Sequence, residues 1–386
     1  MQTVLIIVLI MSVLYGVLML WYRYGWQRLM TFSSEITTSG HTKVSVIIPA
    51  RDEEEHIAKC LDAVLAQKYP AKMMEIMVID DHSTDSTARL VQEYIDRRKQ
   101  EHPRIRLLHL ADYLPPRSAL NSYKKKAIET AVSHAEGDFI ITTDADCVMT
   151  SHWVETLVGF YENRNLKFIA APVSFHKEND FFKIFQSLDF LSMQGITGAT
   201  TCLKCGTMCN GANLAYEKQA FEDVGGYQGV DCIASGDDML LMYKMYKAFP
   251  DGIGFLKHPH AIVKTLPAEN LRAFLQQRIR WASKSDKYED KRITAVLAFV
   301  YLWNIQLIAL LIAGFFLPVL WLLALGVLLY KTMIELVFLL PVARFFKKSR
   351  LLWLFFPAQF LHVPYIVIAG WLGKFGDYEW KGRKVK

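Results

Sequence analysis

Charged residues are missing from three long segments of this chain. The segments cover residues 1–22, 293–330 and 351–373, and the second continues as an apolar stretch to residue 340. Between the first two segments, apolar residues recur at the alternating spacing of strands and at the three- or four-residue spacing of helices. The pattern predicts a water-facing α/β domain that is bracketed by segments suited to lipid.

Within the polar part of the chain, four short β-rich runs alternate with helical patterns. The runs cover residues 44–49, 75–80, 104–110 and 139–143, and the helical patterns cover residues 53–67, 83–97 and 124–135. Ser83 or Asp85 would cap the second helix. Strands that alternate with helices in this way predict a parallel sheet with right-handed crossovers. Ligands of such sheets bind beyond the carboxyl ends of the strands.

The uncharged segments indicate how the chain meets the membrane. The first lacks the basic start and the small-residue cleavage site of a signal peptide, so we expect a transmembrane anchor. The second suits two transmembrane helices hinged near residues 314–318. The third contains Pro357 and Pro364, and it is either a transmembrane or a re-entrant, interfacial segment. The predicted order is anchor, cytoplasmic domain, two helices, last segment and basic tail, at residues 1–22, 40–285, 293–340, 351–373 and 374–386.

Basic residues beside these segments predict their orientation. The positive-inside rule places Arg23, Arg28 and the cluster at residues 344–350 in the cytoplasm. We therefore expect a multi-pass protein of the cell membrane whose domain is cytoplasmic. The tail holds further basic residues, namely Lys381, Arg383, Lys384 and Lys386. A full crossing by the last segment would put this tail outside, which favours the re-entrant or interfacial alternative.

The composition agrees with partial burial in lipid. Hydrophobic residues make up 52% of the chain and the mean hydropathy is +0.16, more than a soluble enzyme needs. Much of the net charge of +6 lies where it would meet anionic headgroups, so no nucleic-acid partner is expected. The cysteines of a cytoplasmic domain should be reduced. Cys202, Cys205 and Cys209 lack an evident fourth ligand for zinc.

The candidate chemistry lies where the predicted strands end. Asp144 and Asp146 follow the fourth strand, and their spacing lets both carboxylates reach one hard cation such as Mg²⁺ or Mn²⁺. A solvated turn would explain this pair equally well in isolation. Acidic clusters also follow the first strand, at residues 51–54, and the second, at residues 80–83. Three acidic ends on one sheet edge favour a site for a nucleotide diphosphate and a metal.

The remaining polar residues suit distinct roles at such a site. Asp81 suits a fixed acceptor for a base or ribose. One lysine of residues 124–126 would neutralise phosphate, although three consecutive lysines are usually a solvated face. Asp237 and Asp238 open an apolar helix, whose N-terminus lowers a carboxylate's pKa and keeps it ionised. With Asp237 near the cap, Asp238 would take the proton from an attacking hydroxyl, and a single base suits inversion at a sugar carbon.

Gln277, Arg280 and Trp281 precede the second uncharged segment. A guanidinium and an indole at a membrane surface would clamp a diphosphate and stack on a sugar or a lipid head. Interfacial Trp with a neighbouring Arg is equally common in membrane proteins of any function.

In this order and spacing, the motifs resemble the inverting family 2 glycosyltransferases with a GT-A fold, and in particular their membrane-bound branch. The resemblance runs from residue 44 to about residue 281. It is carried by Val-Ser-Val-Ile-Ile-Pro-Ala-Arg-Asp-Glu-Glu, Asp-Asp-His-Ser-Thr-Asp, Lys124, Asp-Ala-Asp, Gly-Ala-Asn-Leu-Ala-Tyr, Gly-Asp-Asp and Gln277-x-x-Arg280-Trp281. It implies an α/β GT-A domain with a Rossmann-like mixed sheet, joined to α-helical transmembrane segments.

The resemblance also implies roles for single residues. Asp146 would meet the metal, a divalent Mg²⁺ or Mn²⁺, and Asp238 would be the catalytic base. Substrate-binding positions would be Pro49, Arg51, Glu53, Asp81, Lys124, Asp144, Asp237, Gln277, Arg280 and Trp281. Three departures from the family pattern are Asp52 in place of asparagine, Ala127-Ile128-Glu129 in place of Ala-Leu-Asn, and Asp237 in place of glutamate. The second departure leaves open which lysine meets the donor.

The sequence therefore predicts a membrane-anchored, metal-dependent inverting glycosyltransferase. It would move one sugar from a nucleotide-diphosphate sugar, with a UDP-sugar as the first expectation, to a hydroxyl on a lipid or membrane-associated glycan. A processive polysaccharide synthase is the first alternative, although three or four hydrophobic segments are few to build a channel. A non-catalytic nucleotide-binding membrane subunit is the second. The motifs specify neither the sugar nor the acceptor.

Overall fold

The computed structural model describes residues 2–32, 38–114, 120, 122–206, 208–231, 233, 235–284, 290–376, 378–380 and 383–385, the last two ranges without their side chains. The helices are α1 (Gln2–Arg28), α2 (Ile57–Leu65), α3 (Thr87–Arg97), α4 (Tyr123–His134), α5 (Trp153–Arg164), α6 (Phe181–Cys202), α7 (Lys218–Asp223), α8 (Asp237–Ala248), α9 (Leu271–Ala282), α10 (Lys291–Ala313), α11 (Val319–Phe345) and α12 (Phe355–Phe375). The strands are β1 (Val44–Ala50), β2 (Met74–Asp80), β3 (Arg104–His109), β4 (Phe139–Thr142), β5 (Phe168–Ala170), β6 (Val173–Phe175), β7 (Leu214–Glu217), β8 (Ile253–Phe255), β9 (Val263–Thr265), β10 (Tyr378–Trp380) and β11 (Arg383–Val385).

A mixed sheet of seven strands lies at the centre of the described part of the chain. Its order is β3-β2-β1-β4-β7-β5-β8. The first four strands run parallel, with Val46 of β1 paired to Ile76 on one side and Ile141 on the other. β7 runs antiparallel between β4 and β5. The mixed sheet, together with long apolar helices, confirms the predicted fold class.

The helices that follow the polar loops after β1 and β2 begin at later residues than predicted. α3 begins at Thr87 with Ser86 as its N-cap, so neither Ser83 nor Asp85 caps it as predicted. Ser83 Oγ instead accepts the backbone N–H of Asp52, at 3.0 Å. Asp85 accepts the N–H of Thr87 through Oδ1, at 2.9 Å, and the N–H of Glu54 in the first loop through Oδ2, at 3.0 Å. Ser83 and Asp85 thus fasten the two loops to each other ahead of the helices.

Helix α6 joins the sheet domain to the hydrophobic helices, and the sequence pattern does not predict it. Small residues allow close contact on its outer face. A Cβ atom on Gly195 would lie 2.7 Å from Phe338 of α11, and one on Gly198 would lie 2.8 Å from Trp26 of α1. Both hydrophobic helices therefore pack directly on the domain through α6.

Four helical segments are long and apolar enough to cross a membrane, counting only the residues that the structure describes: α1, α10, α11 and residues 349–375. The break between α10 and α11 falls at residues 314–318, where the sequence predicts a hinge. Lys257 Nζ donates to two carbonyls at the C-terminal end of α1, at 3.0 Å from Trp26 O and 2.9 Å from O of Leu29, the residue just after the helix. Because helix C-termini leave carbonyls unsatisfied, this lysine both caps α1 and ties it to the domain.

Polar side chains inside α11 are paired with each other and with α12. Lys331 Nζ donates to Glu335 Oε1 and to Gln359 Oε1, both at 2.7 Å. Gln359 Nε2 donates to Glu335 Oε2 at 2.7 Å, and the Tyr15 hydroxyl donates to the same carboxylate. A buried charge in lipid is costly unless it is paired, and this cluster meets that requirement.

Helix α12 is continuous through Pro364 and lies across the domain. Just before it, Lys348 Nζ donates to Ser187 Oγ at 3.1 Å. Near its other end, a Cβ atom on Gly373 would lie 2.6 Å from Ala282 Cβ at the end of α9. Both ends of the last hydrophobic segment therefore contact the domain. Of the basic tail, Lys381 and Lys386 lie outside the described residues.

Candidate active site

A cavity of about 1230 Å³ joins the strand ends to the hydrophobic helices. Every residue that the sequence predicts for the site lies on its wall: Pro49, Arg51, Glu53, Asp81, Lys124, Asp144, Asp146, Asp237, Asp238, Gln277, Arg280 and Trp281. These side chains come from six separate parts of the chain. The structure thus brings the predicted motifs together around one space.

The end of the cavity near β1 and β2 is built by two interlocked loops. Arg51 Nη1 donates to the backbone carbonyl of Asp81 at 2.9 Å. The Asp81 carboxylate is buried and contacts His82 Nδ1 at 3.0 Å. Asp52, which departs from the family pattern, has a φ of 48° and accepts the N–H of Thr84 at 2.8 Å. Its extra charge therefore fastens the loops and does not line the cavity.

The three consecutive lysines have three different environments. Lys124 Nζ reaches the cavity and lies 2.7 Å from Asp144 Oδ1 and 3.3 Å from Asp237 Oδ2. Lys125 is buried and donates to two backbone carbonyls, each at 2.6 Å. Lys126 pairs with Glu129 at 2.9 Å, away from the cavity. Lys124 is thus the lysine of this run that borders the candidate donor site. Because Asp144 and Asp237 outweigh the opposite effect of its burial, the pKa of Lys124 is raised.

Asp144 and Asp146 are held differently. Asp144 bonds to Lys124, whereas Asp146 Oδ2 accepts the Thr265 hydroxyl at 2.9 Å. The Cys147 thiol lies 3.3 Å from Asp146 Oδ1 as a weak donor. These two bonds orient the Asp146 carboxylate on the cavity wall. Sequence reasoning missed Thr265, because it lies more than a hundred residues away on β9.

The acidic pair fits a cation that is shared with a diphosphate. Within the described ranges, no group of three or more His, Cys, Asp or Glu residues lies close enough to hold a metal by itself. Mg²⁺ in nucleotide sites is typically bound by one or two carboxylates together with phosphate oxygens. The hard oxygens of Asp144 and Asp146 suit that arrangement. A self-contained zinc site at Cys202, Cys205 and Cys209 does not form.

Asp237 and Asp238 occupy the first turn of α8 in unequal environments. Asp237 is buried, yet its pKa is lowered, because the charges of Lys124 and Lys284 outweigh the effect of burial. Asp238 has a raised pKa, caused by burial first and by the neighbouring Asp237 second. The expectation that the helix N-terminus would lower the pKa of Asp238 is therefore wrong. Burial and a like charge outweigh the helix dipole at this position.

Two neighbours complete the surroundings of Asp238. Its Oδ2 accepts the backbone N–H of Gly211 at 3.1 Å, which fixes the carboxylate against the Gly-Ala-Asn-Leu-Ala-Tyr motif. Lys284 is buried on the same cavity wall, and burial lowers its pKa to about 8. Sequence reasoning did not single out Lys284, because a lysine beyond the end of a helix carries no motif.

The end of α9 supplies Gln277, Arg280 and Trp281 to the cavity, as the motif predicts. The residue between them, Arg278, is buried and pairs with Asp189 of α6 at 2.7 Å. Its guanidinium lies 4.3 Å from the centre of the Trp281 ring. Sequence reasoning missed both partners, since Arg278 occupies a variable position of the motif. A lone acid within the apolar helix α6 was the available signal.

The far half of the cavity is lined by the hydrophobic helices. The wall residues there come from α10 and α12: Leu297, Ala298, Tyr301, Ile305, Ile366, Val367, Gly370 and Trp371. This apolar half is continuous with the acidic half that holds Asp146 and Asp238. The arrangement can therefore accommodate a polar, anionic ligand at one end and a hydrocarbon chain at the other.

The fold and the site define a general class of protein, namely an α/β domain of the nucleotide-binding type with an acidic pair beyond β4. Comparisons with known families identify the family within that class. Residues 45–225 match the model of glycosyl transferase family 2. Residues 139–368, more than half of the chain, match that of glycosyl transferase family group 2. The protein belongs to the family 2 glycosyltransferases, as its motifs suggest.

Individual relatives are distant. Poly-beta-1,6-N-acetyl-D-glucosamine synthase from Staphylococcus epidermidis is 24% identical over 62% of this chain and 53% of its own length. Glycosyltransferase AglE from Haloferax volcanii is 24% identical over 61% of this chain and 71% of its own. The chain thus spans about half the length of the synthase relatives that it matches.

A solved structure shares the fold over nearly the whole chain. The mannosyltransferase PcManGT from Pyrobaculum calidifontis, in complex with GDP-Man and Mn²⁺, superposes with a TM-score of 0.57 at 18% identity. The match covers 96% of this chain and 98% of that one. The likeness therefore extends from the sheet domain into the hydrophobic helices.

Proposed function

We propose that this protein is a membrane-bound, metal-dependent glycosyltransferase that transfers one sugar, with inversion, from a nucleotide-diphosphate sugar to a membrane lipid. One observation carries the proposal: the cavity that holds the acidic motifs continues between α10 and α12. A soluble acceptor would not need an apolar wall of this kind. A lipid whose headgroup reaches Asp238 and whose chain lies against these helices would fill both halves.

The polar half suits the donor. The interlocked loops around Arg51 and Asp81 would hold the nucleoside, because Asp81 is a fixed acceptor. Asp146 would hold a divalent cation, which when bound supplies charge neutralisation to the leaving diphosphate. Lys124, beside Asp144, would add a second positive charge there. The family membership and the Mn²⁺ and GDP-Man bound to PcManGT support this assignment.

Asp238 suits the proton transfer. Its raised pKa makes it a better proton acceptor than an ordinary aspartate. Lys124 partly neutralises the adjacent Asp237, so two carboxylates can share the first turn of α8. A single base on the acceptor side matches direct displacement, because no second carboxylate is needed as a nucleophile.

We also propose that the domain is cytoplasmic and that α12 lies along the membrane surface. Its exposed large apolar residues lie on one side of the helix, at Phe356, Phe360, Leu361, Ile368, Trp371, Leu372 and Phe375. The opposite face packs on α9, where Tyr365 and Phe274 have ring centroids 5.3 Å apart. This one-sided pattern is typical of a helix that is half immersed in lipid. The basic tail would then stay on the cytoplasmic side, in agreement with the positive-inside rule.

A processive synthase is the second candidate, because several relatives are named as poly-N-acetylglucosamine synthases. With α12 at the surface, the described residues would supply three crossing helices, which are few to enclose a channel for a growing polymer. The length of the product distinguishes the two candidates: a ladder or a long polymer would establish the synthase.

The test uses the purified full-length protein in nanodiscs with Mg²⁺ or Mn²⁺. A panel of sugar nucleotides is offered with a membrane lipid extract, and nucleoside diphosphate release and product masses are measured. We expect one sugar added to a lipid. Unchanged turnover in Asp146→Ala and Asp238→Asn would contradict the proposed site. Donor binding without release of nucleotide would instead establish the non-catalytic subunit.

A further inference from the structure

A buried carboxylate outside the predicted motifs joins three helices behind the cavity. Asp189 lies in α6, and its side chain is 4% exposed. Its Oδ2 lies 2.7 Å from Arg278 Nη2 of α9. Its Oδ1 accepts the Tyr365 hydroxyl of α12, and His362 Nε2 of the same helix lies 3.7 Å away. Both oxygens of Asp189 are thus engaged, one by the catalytic domain and one by the membrane-facing helix.

Arg278 links Asp189 to two residues of the proposed active site, Gln277 and Trp281. Its Nη1 donates to Gln277 Oε1 at 3.0 Å. Its guanidinium lies 4.3 Å from the centre of the Trp281 ring and 4.7 Å from that of Phe274. A planar guanidinium that is stacked and doubly bonded has a fixed orientation. The orientation of Gln277 and Trp281 therefore depends on the group that holds Arg278.

The energetics of burial suggest that stability alone does not explain this pair. A buried ion pair gains little over well-packed apolar residues, because both charges lose their hydration. Phe185 and Phe190, which are close to Asp189 along α6, are both buried, so the pair lies among apolar side chains. The ion pair supplies a directed bond between α6 and the end of α9. An apolar pair would not supply such a bond.

We infer that Asp189 is a positioning residue for the proposed sugar transfer: through Arg278 it sets Gln277 and Trp281, and through Tyr365 it sets α12 along the acceptor half of the cavity. The inference rests on the proposed function for its kinetic consequence. Its structural consequence, the fixed environment of the Trp281 ring, holds whether or not the proposed function is correct.

The test compares Asp189→Asn with Glu178→Gln in the full-length protein in nanodiscs. Glu178 is a matched control, because it also forms an ion pair at the junction of the domain and the membrane helices, and its bonds go to Lys348 and to Ser187 of α6 rather than to Arg278. For Asp189→Asn we expect a fall in kcat of about tenfold to a hundredfold, as for other residues that orient a site residue from behind. The KM of the sugar nucleotide should change less than threefold. Glu178→Gln should keep kcat near that of the wild type.

A double-mutant cycle separates positioning from general destabilisation. If Asp189 acts through Arg278, Asp189→Asn and Arg278→Gln together should lower kcat no more than the stronger single variant does. Additive losses would overturn the inference. So would a fall in kcat for Asp189→Asn that is matched by Glu178→Gln at equal loss of thermal stability.

A readout without turnover keeps this test distinct from that of the proposed function. Fluorotryptophan labelling gives one fluorine resonance for each of the nine tryptophans, and the resonance missing in Trp281→Phe belongs to Trp281. That resonance should shift or broaden in Asp189→Asn and stay unchanged in Glu178→Gln. An unmoved resonance would refute the positioning role even in an active enzyme. A moved resonance in a protein without transferase activity would leave the positioning intact and refute the proposed reaction.

Discussion

Lys124 Nζ lies 2.7 Å from Asp144 Oδ1 and joins α4 to the acidic pair beyond β4. The Lys124→Met substitution would remove the ammonium group that contacts both Asp144 and Asp237. The loss of a hydrogen bond to a charged group costs roughly 1.5–3 kcal/mol. We therefore expect donor affinity to fall about tenfold to a hundredfold, measured by calorimetry with the sugar nucleotide and Mn²⁺.

Lys126→Met is the control for this prediction. Lys126 lies two residues further along the same helix and pairs with Glu129 away from the cavity. Donor affinity in this variant should equal that of the wild type. Equal losses in both variants would mean that the lysine run acts through general electrostatics and not through the contact with Asp144.

The Thr265 hydroxyl donates to Asp146 Oδ2 at 2.9 Å, so it should influence metal binding without touching the metal. Partners that orient a metal ligand typically contribute about tenfold to a hundredfold in metal affinity. Thr265→Val should raise the Mn²⁺ concentration for half-maximal activity by about that factor, and Thr265→Ser should restore it. In the control Thr150→Val, the lost bond goes to the His260 carbonyl, and the Mn²⁺ titration should not change. A normal titration for Thr265→Val would show that Asp146 needs no such support.

The parts of the fold that were predictable are those with strong local signals. β1, β2 and β4 are continuous apolar runs bounded by polar loops, and their observed ends lie within about one residue of the prediction. β5 and β8 have three residues each, too few to show any periodicity. α6 is apolar along much of its length because it packs on both the sheet domain and the membrane helices. Its periodicity therefore gave no sign of a surface helix.

The site was predictable where residues follow one another in motifs and not where they meet through space. Consecutive residues on a helix point about 100° apart, so only the fold could separate Lys124 from Lys125 and Lys126. Thr265 and Asp189 reach the site from distant strands and helices. The wall from α10 and α12 depends on where α12 lies, which its hydrophobicity alone left open.

The charges around Asp238 predict opposite pH shifts for two variants. A base must be ionised, so activity is present above the pKa of Asp238 and is lost as the pH falls through it. Asp237 raises that pKa and Lys284 lowers it. Asp237→Asn should move the acid limb of the kcat profile to lower pH, and Lys284→Met should move it to higher pH, each by roughly one unit. Shifts in the same direction would show that another group controls this limb.

The proposed position of α12 predicts where the C-terminus lies. If α12 rests on the membrane surface, a C-terminal tag stays on the side of the catalytic domain. A cysteine added after residue 386 should then react with a membrane-impermeant maleimide in inside-out vesicles and not in intact cells. A cysteine in the loop between α10 and α11, at Phe316, should show the reverse pattern. Labelling of the C-terminus in intact cells would establish α12 as a fourth crossing.

The contact between Gly370 and Tyr301 offers a way to close the apolar half of the cavity alone. A Cβ atom on Gly370 would lie 2.7 Å from Tyr301 Cε2, so Gly370→Leu must push this ring and fill the space between α10 and α12. Overpacking of this kind typically costs about 1–3 kcal/mol. We therefore expect turnover with a long-chain lipid acceptor to fall about tenfold or more.

Donor binding and slow hydrolysis of the donor by water should be unchanged in Gly370→Leu, because Asp146 and Asp238 lie in the other half of the cavity. Ile368→Phe enlarges a residue on the lipid-facing stripe of α12, where Ile368 is 46% exposed, and it should keep full turnover. Mass spectrometry of the lipid product and release of nucleoside diphosphate measure both reactions in one sample. If Gly370→Leu kept full transfer to the long-chain lipid, the acceptor would not enter between α10 and α12. A parallel loss of hydrolysis would show instead that the substitution had disturbed the donor site.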